Sequence, residues 1–590
     1  RQVLMKSKLF QNFAIVLLIG LFSLTLYACG ETPDKWTVSF DSCGGSAVQS
    51  IQVEDNNRIE EPDDPTKAGY IFIAWYKESS YENEFNFETE RVTNDITLYA
   101  KWEEQTSFTI KFNSNGGSKV DDVVINKGEA LSKPQNPSRL NYAFVEWCKD
   151  EDLTIPFKFG ADWVDEPYEV ITQDMTLYAK WVHIDQIYTF EKIEGANEYE
   201  IVDYTGDLTE LTLPDYYSGK PVTKIGQNAF RDAGLENITF SSNLEQIDNM
   251  AFYGNDLVSI EIPASVTSIS YNAFMYCYDL EKITVDPNNT IYDSREDCNA
   301  VIEIATDKLI FGCQNTTIPD SIKIIGEYAF EDVSLKEIVI PDGVVEVQAR
   351  AFSDCIYLNN VTLAGSIKTF GESVFYGCVR LTSITLPQIT TIPDKMFESS
   401  GLEEITIPTT VTKIGEKAFS STKITSINLN NQKIELGEGV FDSCRNLVSV
   451  EGFSGVTSLP RRVFYYCDKL TDITLSDQIR SIPENAFTYC RDLTSLTLPT
   501  SLTTIYNYAF LNCMVESLSL PQSVEVIYPY ALSGASNLKT ITIQNELSSS
   551  AFRAITNCST LETIYVPSEY LEYYTAELGQ DSTINIEVIQ

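Results

Sequence analysis

The sequence predicts a mainly β chain in which two small β modules precede a long solenoid, and three observations carry that prediction. A phenylalanine returns every 22 or 23 residues, at Phe230, Phe252 and Phe274 and again at Phe330, Phe352, Phe375, Phe397, Phe419, Phe441, Phe464, Phe487 and Phe510. The intervals carry a frame of the type Leu-x-x-Ile-x-Leu, as at Leu381, Ile384 and Leu386, often closed by a proline such as Pro387. Upstream, two stretches align with each other. Val38-Ser-Phe40 matches Ile110-Lys-Phe112, Gly44-Gly45 matches Gly116-Gly117, Pro62 matches Pro134, Trp75 matches Trp147, and Leu98-Tyr-Ala-Lys-Trp102 matches Leu177-Tyr-Ala-Lys-Trp181.

At the N-terminus Lys6 and Lys8 precede an apolar run from Phe13 to Leu26, short for a membrane span, that ends in Leu26-Tyr-Ala-Cys29. This stretch resembles a bacterial lipoprotein signal. The resemblance implies a signal peptide over 1–28, cleavage before Cys29, a lipid on its thiol and a short polar tether over 29–35. Such a chain is held outside the cytoplasmic membrane or on the outer membrane; a soluble secreted form and an uncleaved anchor are the alternatives.

Each upstream copy holds about seventy residues, so a few large side chains must supply its core, and the paired Trp with Tyr and Phe meet that need. The copies, over 36–104 and 107–182, resemble the Listeria–Bacteroides repeat, or internalin-type B repeat. That resemblance implies a small β-grasp-like fold and a spacer role on surface proteins, with some members contacting glycans or receptors. The second copy differs by an insertion around Asp162 to Val170 and by Asn141 where the first has Gly69; the fold is expected to survive both. Short linkers near Glu103 to Ser107 and Val182 to Gln186 predict modules strung like beads.

Residues 186–590 are the solenoid. In Leu470-Thr-Asp-Ile473-Thr-Leu475 strand alternation turns Ile473 and Leu475 inward and the residue between them outward. One turn cannot bury its apolar face alone, so turns stack. At about 4.8 Å per strand, roughly fifteen turns extend about 70 Å. The sequences Ile225-Gly-Gln-Asn-Ala-Phe230, Ile325-Gly-Glu-Tyr-Ala-Phe330, Ile414-Gly-Glu-Lys-Ala-Phe419 and Ile482-Pro-Glu-Asn-Ala-Phe487 resemble BspA-type leucine-rich repeats. This implies a right-handed solenoid with one short β-strand per turn, of a kind found in adhesins and other surface binders. The stretch from Pro287 to Pro319 is too long for one turn and reads as a turn with an excursion carrying Cys298 and Cys313. Tyr188 to Lys224, with one strand at Leu208, Leu211 and Leu213, is expected to cap the start. Leu532, Phe552 at a shortened spacing, and Tyr565-Val566-Pro567 mark the closing end.

The formal charge of −42, from 84 acidic and 42 basic residues, argues against nucleic acid or anionic headgroups as partners of the globular part. No Asp-x-Asp-x-Asp-Gly loop with a later Glu is present, so calcium binding is a minor alternative. Of the 13 cysteines, Cys277, Cys355, Cys378, Cys444, Cys467, Cys490 and Cys513 lie three residues after the repeat's Phe. Together with Cys558 they predict a buried ladder of core thiols. Parallel Cβ vectors disfavour bridges between neighbours such as Cys467 and Cys490, and Cys298 with Cys313 is the pair most open to bridging. The single histidine, His183, falls in the second linker. A catalytic triad or a histidine metal site has no material, so neither an enzyme, a cofactor nor a metal is expected.

Binding has more support. The outward frame position holds Thr in most turns, at Thr212, Thr239, Thr284, Thr362, Thr385, Thr406, Thr474, Thr497 and Thr542, interrupted by Glu261, Val339, Asn428, Glu451 and Tyr565. Thr also suits any solvated strand position, being β-branched and polar. Tyr465, Tyr466, Tyr489, Tyr506, Tyr508, Tyr528 and Tyr530 crowd into the late turns, either as an interface patch or as filling between turns. The candidate surface is therefore Thr362, Thr385, Thr406, Asn428, Glu451, Thr474 and Thr497, with Tyr465, Tyr466 and Tyr489. The function expected is that of a monomeric, lipid-anchored, adhesin-like binder of an extracellular protein or glycan on host or neighbouring cells. A nutrient-capture lipoprotein and a structural envelope protein without a ligand are the alternatives.

Overall fold

A computed structural model describes residues 35–160, 169–547, 553–555, 557–578 and 583–589. The lipoprotein-like segment with Cys29, most of the insertion near Asp162 to Val170, and Phe552 lie outside the described residues. The chain divides into two compact units, Arg1–Lys111 with Asp121–Lys133 and Lys158–Leu177, and Phe112–Val120 with Pro134–Phe157 and Tyr178–Gln590.

The first module is a four-stranded sheet of β1 (Lys35–Asp41), β2 (Ile51–Glu54), β3 (Tyr70–Tyr76) and β4 (Ile96–Glu104) in the order β2-β1-β4-β3. The central pair β1 and β4 is parallel and the outer pairs are antiparallel. The second module repeats the order as β6-β5-β8-β7, from β5 (Ser107–Asn113), β6 (Val123–Asn126), β7 (Tyr142–Cys148) and β8 (Met175–His183). Trp75 is buried edge-on to Phe40 at 4.8 Å, and Trp147 repeats this with Phe112 at 4.9 Å. The paired glycines have separate reasons. Gly44 and Gly116 take φ of 89° and 87°, which favours glycine. A Cβ on Gly45 or Gly117 would stand 2.5 Å from the ring of Trp102 or Trp181, and those indoles donate to the Ser42 and Ser114 carbonyls at 2.9 and 3.0 Å. Asn141 keeps the left-handed conformation of Gly69 (φ 63° against 77°), which Asn tolerates better than most residues.

The expected linker at Val182 to Gln186 is not a free hinge. Val182 and His183 belong to β8, Ile184–Gln186 form a 3-10 turn, and Ala143 and the buried Ile184 pack into the first core of the solenoid. His183 Nδ1 accepts the Asp185 N–H at 3.3 Å. The starting cap is richer than one strand. Tyr188–Lys192 runs antiparallel to Tyr199–Tyr204, which pairs in parallel with Lys220–Ile225, while Leu211 and Leu213 are buried in the first core.

Nearly every regular turn carries the expected frame strand, the turn at Leu493 to Leu498 being an exception, and most carry a second, two-residue strand as well. Frame strands such as Glu337–Val339 and Asn360–Thr362 pair in parallel, and so do Ile324–Ile325, Glu346–Val347 and Thr369–Phe370 in the other ladder. The second ladder arises because the Ile before each Gly-x-x-Ala-Phe corner points inward beside an outward neighbour, so two residues suffice for a rung. At nearly every corner the residues two before and two after the Phe are left-handed, as at Lys395 and Ser399 or Arg462 and Tyr466. These two bends wrap the backbone around the ring. The rings stack nearly parallel at 5.1 to 5.9 Å, from Phe230 to Phe274 and from Phe330 to Phe510.

The excursion between the stacks is a buried hairpin. Ala300–Glu303 and Lys308–Gly312 are antiparallel, and the latter pairs in parallel with Ile324–Ile325. Val301 and Phe311 belong to the first core, whereas Ala300, Ile302 and Leu309 belong to the second. Strand alternation thus makes the hairpin a wall with one face in each core. Cys313 lies in the first core and Cys298 in the second, and both are free thiols. The wall separates the pair the sequence left most open to a bridge. Gly312 is required by contact: a Cβ there would stand 2.3 Å from the Phe330 ring. At the far end helix Leu571–Leu578 and strand Asn585–Val588 close the second core, and the buried Tyr574 hydroxyl donates to the Asn545 carbonyl at 2.8 Å.

Candidate binding surface

The frame strands place their outward residues in columns. Asn360–Thr362 and Ser426–Asn428 alternate exposed, buried, exposed, and parallel register sets Val339 beside Thr362 and Asn428 beside Glu451. Thr362, Thr385, Thr406, Asn428 and Glu451 all line one open groove of about 710 Å³. Asn428 Nδ2 donates to Glu451 Oε2 at 3.3 Å, so two adjacent interruptions of the threonine column are bonded to each other. Thr474 is exposed, and Thr497 lines a second groove with Ser495, Ser517 and Ser519.

The groove also contains a column that the threonine pattern did not single out, Asn360, Ser383, Glu404 and Ser426, two residues earlier on each strand. Its signal was available: the period of two that turns Thr outward does the same for residue i−2. The surface so built offers hydroxyls, amides and the carboxylates of Glu404 and Glu451. These groups can hydrogen-bond an extended partner laid along the strands.

The tyrosines separate into groups. Tyr466 and Tyr489 occupy the same left-handed corner position on adjacent turns and stack at 4.4 Å, with Tyr465 edge-on to Tyr466 at 4.6 Å. Arg462 lies 3.9 Å over Tyr465, while Arg445 and Arg491 each lie 5.4 Å over Tyr466 and Tyr489. Tyr506 stacks on Tyr528, and Tyr508 on Tyr530. Tyr465, Tyr466 and Tyr489 are half-buried, so part of each ring fills the corner. The threonine column sits on the strands and the tyrosines sit at the corners.

The corner thiols are structural. Cys355, Cys378, Cys444, Cys467 and Cys490 each donate to the carbonyl of the phenylalanine one turn back at 3.0 to 3.2 Å. Asn255 takes the same position and bonds the Phe230 carbonyl at 2.8 Å. Burial pushes the Cys444 and Cys513 thiols up to about 12, which removes them as nucleophiles near neutral pH. No helix among the described residues is long and apolar enough to cross a membrane.

Stacked parallel strands with a polar outer face and a phenylalanine corner define a leucine-rich-repeat solenoid. The chain belongs to the BspA type leucine rich repeat family, which matches residues 199–304, 310–422, 369–476 and 457–576, and it carries two copies of the Listeria-Bacteroides repeat domain at 36–101 and 108–180. A protein of Evansella cellulosilytica, provisionally named a membrane protein, is 37% identical over 193 residues, 32% of this chain and 28% of that relative. Internalin H of Listeria monocytogenes is 29% identical over 153 residues, 26% of each chain. The chain thus spans about a quarter of the length of these relatives. Among solved structures, a leucine-rich repeat protein from Bacteroides ovatus is 24% identical, covering 68% of this chain and 98% of that one, with a TM-score of 0.40. A leucine rich cell surface protein from Faecalibacterium prausnitzii is 24% identical over 68% of this chain and 93% of that one, with a TM-score of 0.26.

Proposed function

We propose that this chain is a surface-displayed, adhesin-like binding protein, not an enzyme, whose strand face takes an extracellular protein or glycan. The observation that carries the reading is the groove in which Thr362, Thr385, Thr406, Asn428 and Glu451 stand together with a second polar column. Thr474 and Thr497 extend the face, and the Tyr465, Tyr466 and Tyr489 cluster is a second contact. The membership in a repeat family of surface proteins and the membrane name of the Evansella relative support placement at the cell surface. A lipid on Cys29 is the tether in this reading, and the two upstream modules are the spacer.

Two experiments test it. In a bacterium that processes lipoproteins, protease treatment of intact cells should remove the solenoid, and the mature N-terminal peptide should carry a lipidated Cys29. The purified chain is then screened in parallel against extracellular-matrix proteins and polysaccharides, and each hit is repeated with an Asn428→Ala/Glu451→Ala variant. Loss of about tenfold or more in affinity, about 1.4 kcal/mol, is expected. Undiminished binding by that variant would move the site off the groove, and a chain shielded from protease would remove the surface reading.

A further inference from the structure

The corner column that carries Tyr466 and Tyr489 contains, at the boundary of the two cores, a crowding of charge. Elsewhere an aspartate in this column is followed by a residue that makes room for it. Asp232 is followed by Gly254 and Asp354 by Gly377, and a Cβ on either glycine would stand only 2.2 or 2.1 Å from the aspartate Oδ1. Asp332, however, is followed by Asp354 on the next turn, with both residues left-handed. Like charges facing each other across adjacent strands or turns are destabilising. Glu331 joins them, and each of the three offers an oxygen within 4.8 Å of the other two.

Arg350 supplies one positive charge, with its Nε 2.8 Å from Glu331 Oε1 and a guanidinium nitrogen 3.9 Å from Asp354. With all three carboxylates ionised, two negative charges remain uncompensated. Burial first, then the charges of Asp354 and Glu331, pushes the Asp332 carboxyl up to about 7.

Two observations independent of the spacing point to a ligand. Glu331 is more than nine-tenths buried, and its Oε2 has no hydrogen-bond partner, a condition buried polar atoms rarely keep. A cleft of about 40 Å³ beside the cluster is lined by Glu331 and Asp332, with Asp354 outside its lining, and holds room for one ion or water. Tyr276, on the last regular turn of the first core, lines the same cleft.

We propose that Glu331, Asp332 and Asp354 hold one divalent cation of the calcium class, bound where the two cores of the solenoid meet. A dication brings the local charge to zero. Three carboxylates completed by water suit Ca²⁺, which accepts six to eight oxygens in flexible geometry, better than Mg²⁺, which demands a strict octahedron. The site stands apart from the strand-face groove and does not rest on the binding role proposed for it.

The test uses the full chain, stripped with chelator and desalted. Calorimetric titration with CaCl₂ should show one saturable site, and saturating calcium should raise the melting temperature by an amount that grows with concentration above Kd. Asp354→Asn relieves the repulsion and removes a ligand, so it should melt higher than the parent without calcium and lose the calcium-dependent rise. Asp232→Asn, in the glycine-spaced part of the column, should leave the response unchanged. If Asp354→Asn does not fold, terbium luminescence of the parent chain, displaced by calcium, reads the same site. Absence of saturable binding up to about 10 mM, beyond the weak end of protein calcium sites, overturns the proposal. So does a calcium response that survives Asp354→Asn, or a stability that follows pH but ignores cations, which assigns the cluster to a shared proton.

Discussion

The solenoid on the two sides of the Ala300–Gly312 hairpin uses one repeat to build two different bodies. Before it, three stacked rings, Phe230, Phe252 and Phe274, end on Phe311 of the hairpin, tilted by 31° at 5.2 Å. After it, nine rings stack without interruption from Phe330 to Phe510, and buried thiols bond the corners of successive turns. In a quasi-one-dimensional array stability is a sum of turn and neighbour terms, so a partition changes how far a perturbation travels. The interruption of period is therefore a boundary between cores and not an extruded loop.

The largest effect that tests this is expected from Phe419→Ala, in the middle of the long stack. The truncation should cost about 3–5 kcal/mol, and calorimetry should show the later transition move while the transition of the first core stays in place. A single transition moving as a whole would join the two cores. Gly312→Val comes next: its side chain collides with Phe330 at the wall, and such overpacking costs about 1–3 kcal/mol. Both transitions should fall, since the hairpin faces both cores.

Cys467→Ala removes the thiol that bonds the Phe441 carbonyl and should cost about 1–2 kcal/mol in denaturant melts. Cys467→Ser keeps a donor and should cost less. In the folded chain the ladder thiols should resist alkylation at pH 8 and react together with unfolding, because Cys444 and Cys513 are pushed up to about 12 by burial. Alkylation ahead of unfolding would show that the corners open locally. The smallest effect is expected from Thr385→Ala, an exposed position that should shift stability by less than about 0.5 kcal/mol. A larger shift would make the threonine column part of the framework instead of a free surface.

Much of this architecture was legible because repetition amplifies weak signals. The Phe interval, the Leu-x-x-Ile-x-Leu frame and most of the cysteines at a constant offset name the core residues directly, since a stacked turn must bury the same positions as its neighbour; Cys277 and Cys558 are only partly buried. The exchange of Gly69 for Asn141 was readable as harmless because both accept the left-handed backbone. The strand-face candidates from Thr362 to Glu451 were also placed by period alone, though the companion column at Asn360 and Ser383 was overlooked. The second ladder escaped because a two-residue strand has too few residues to show an alternation.

The sequence by itself determined the local, periodic part of the protein: which side chains face inward, how many similar turns follow one another, and that two copies of one small module precede them. Only the tertiary structure decided the features that depend on residues distant in the chain. It turned the excursion around Cys298 and Cys313 into a wall by giving its alternate residues to different cores. It joined Ala143 to the solenoid core where a linker was expected, and it brought Glu331, Asp332 and Asp354 together. Such contacts cross the repeat or break it, and a periodic pattern carries information only about what recurs.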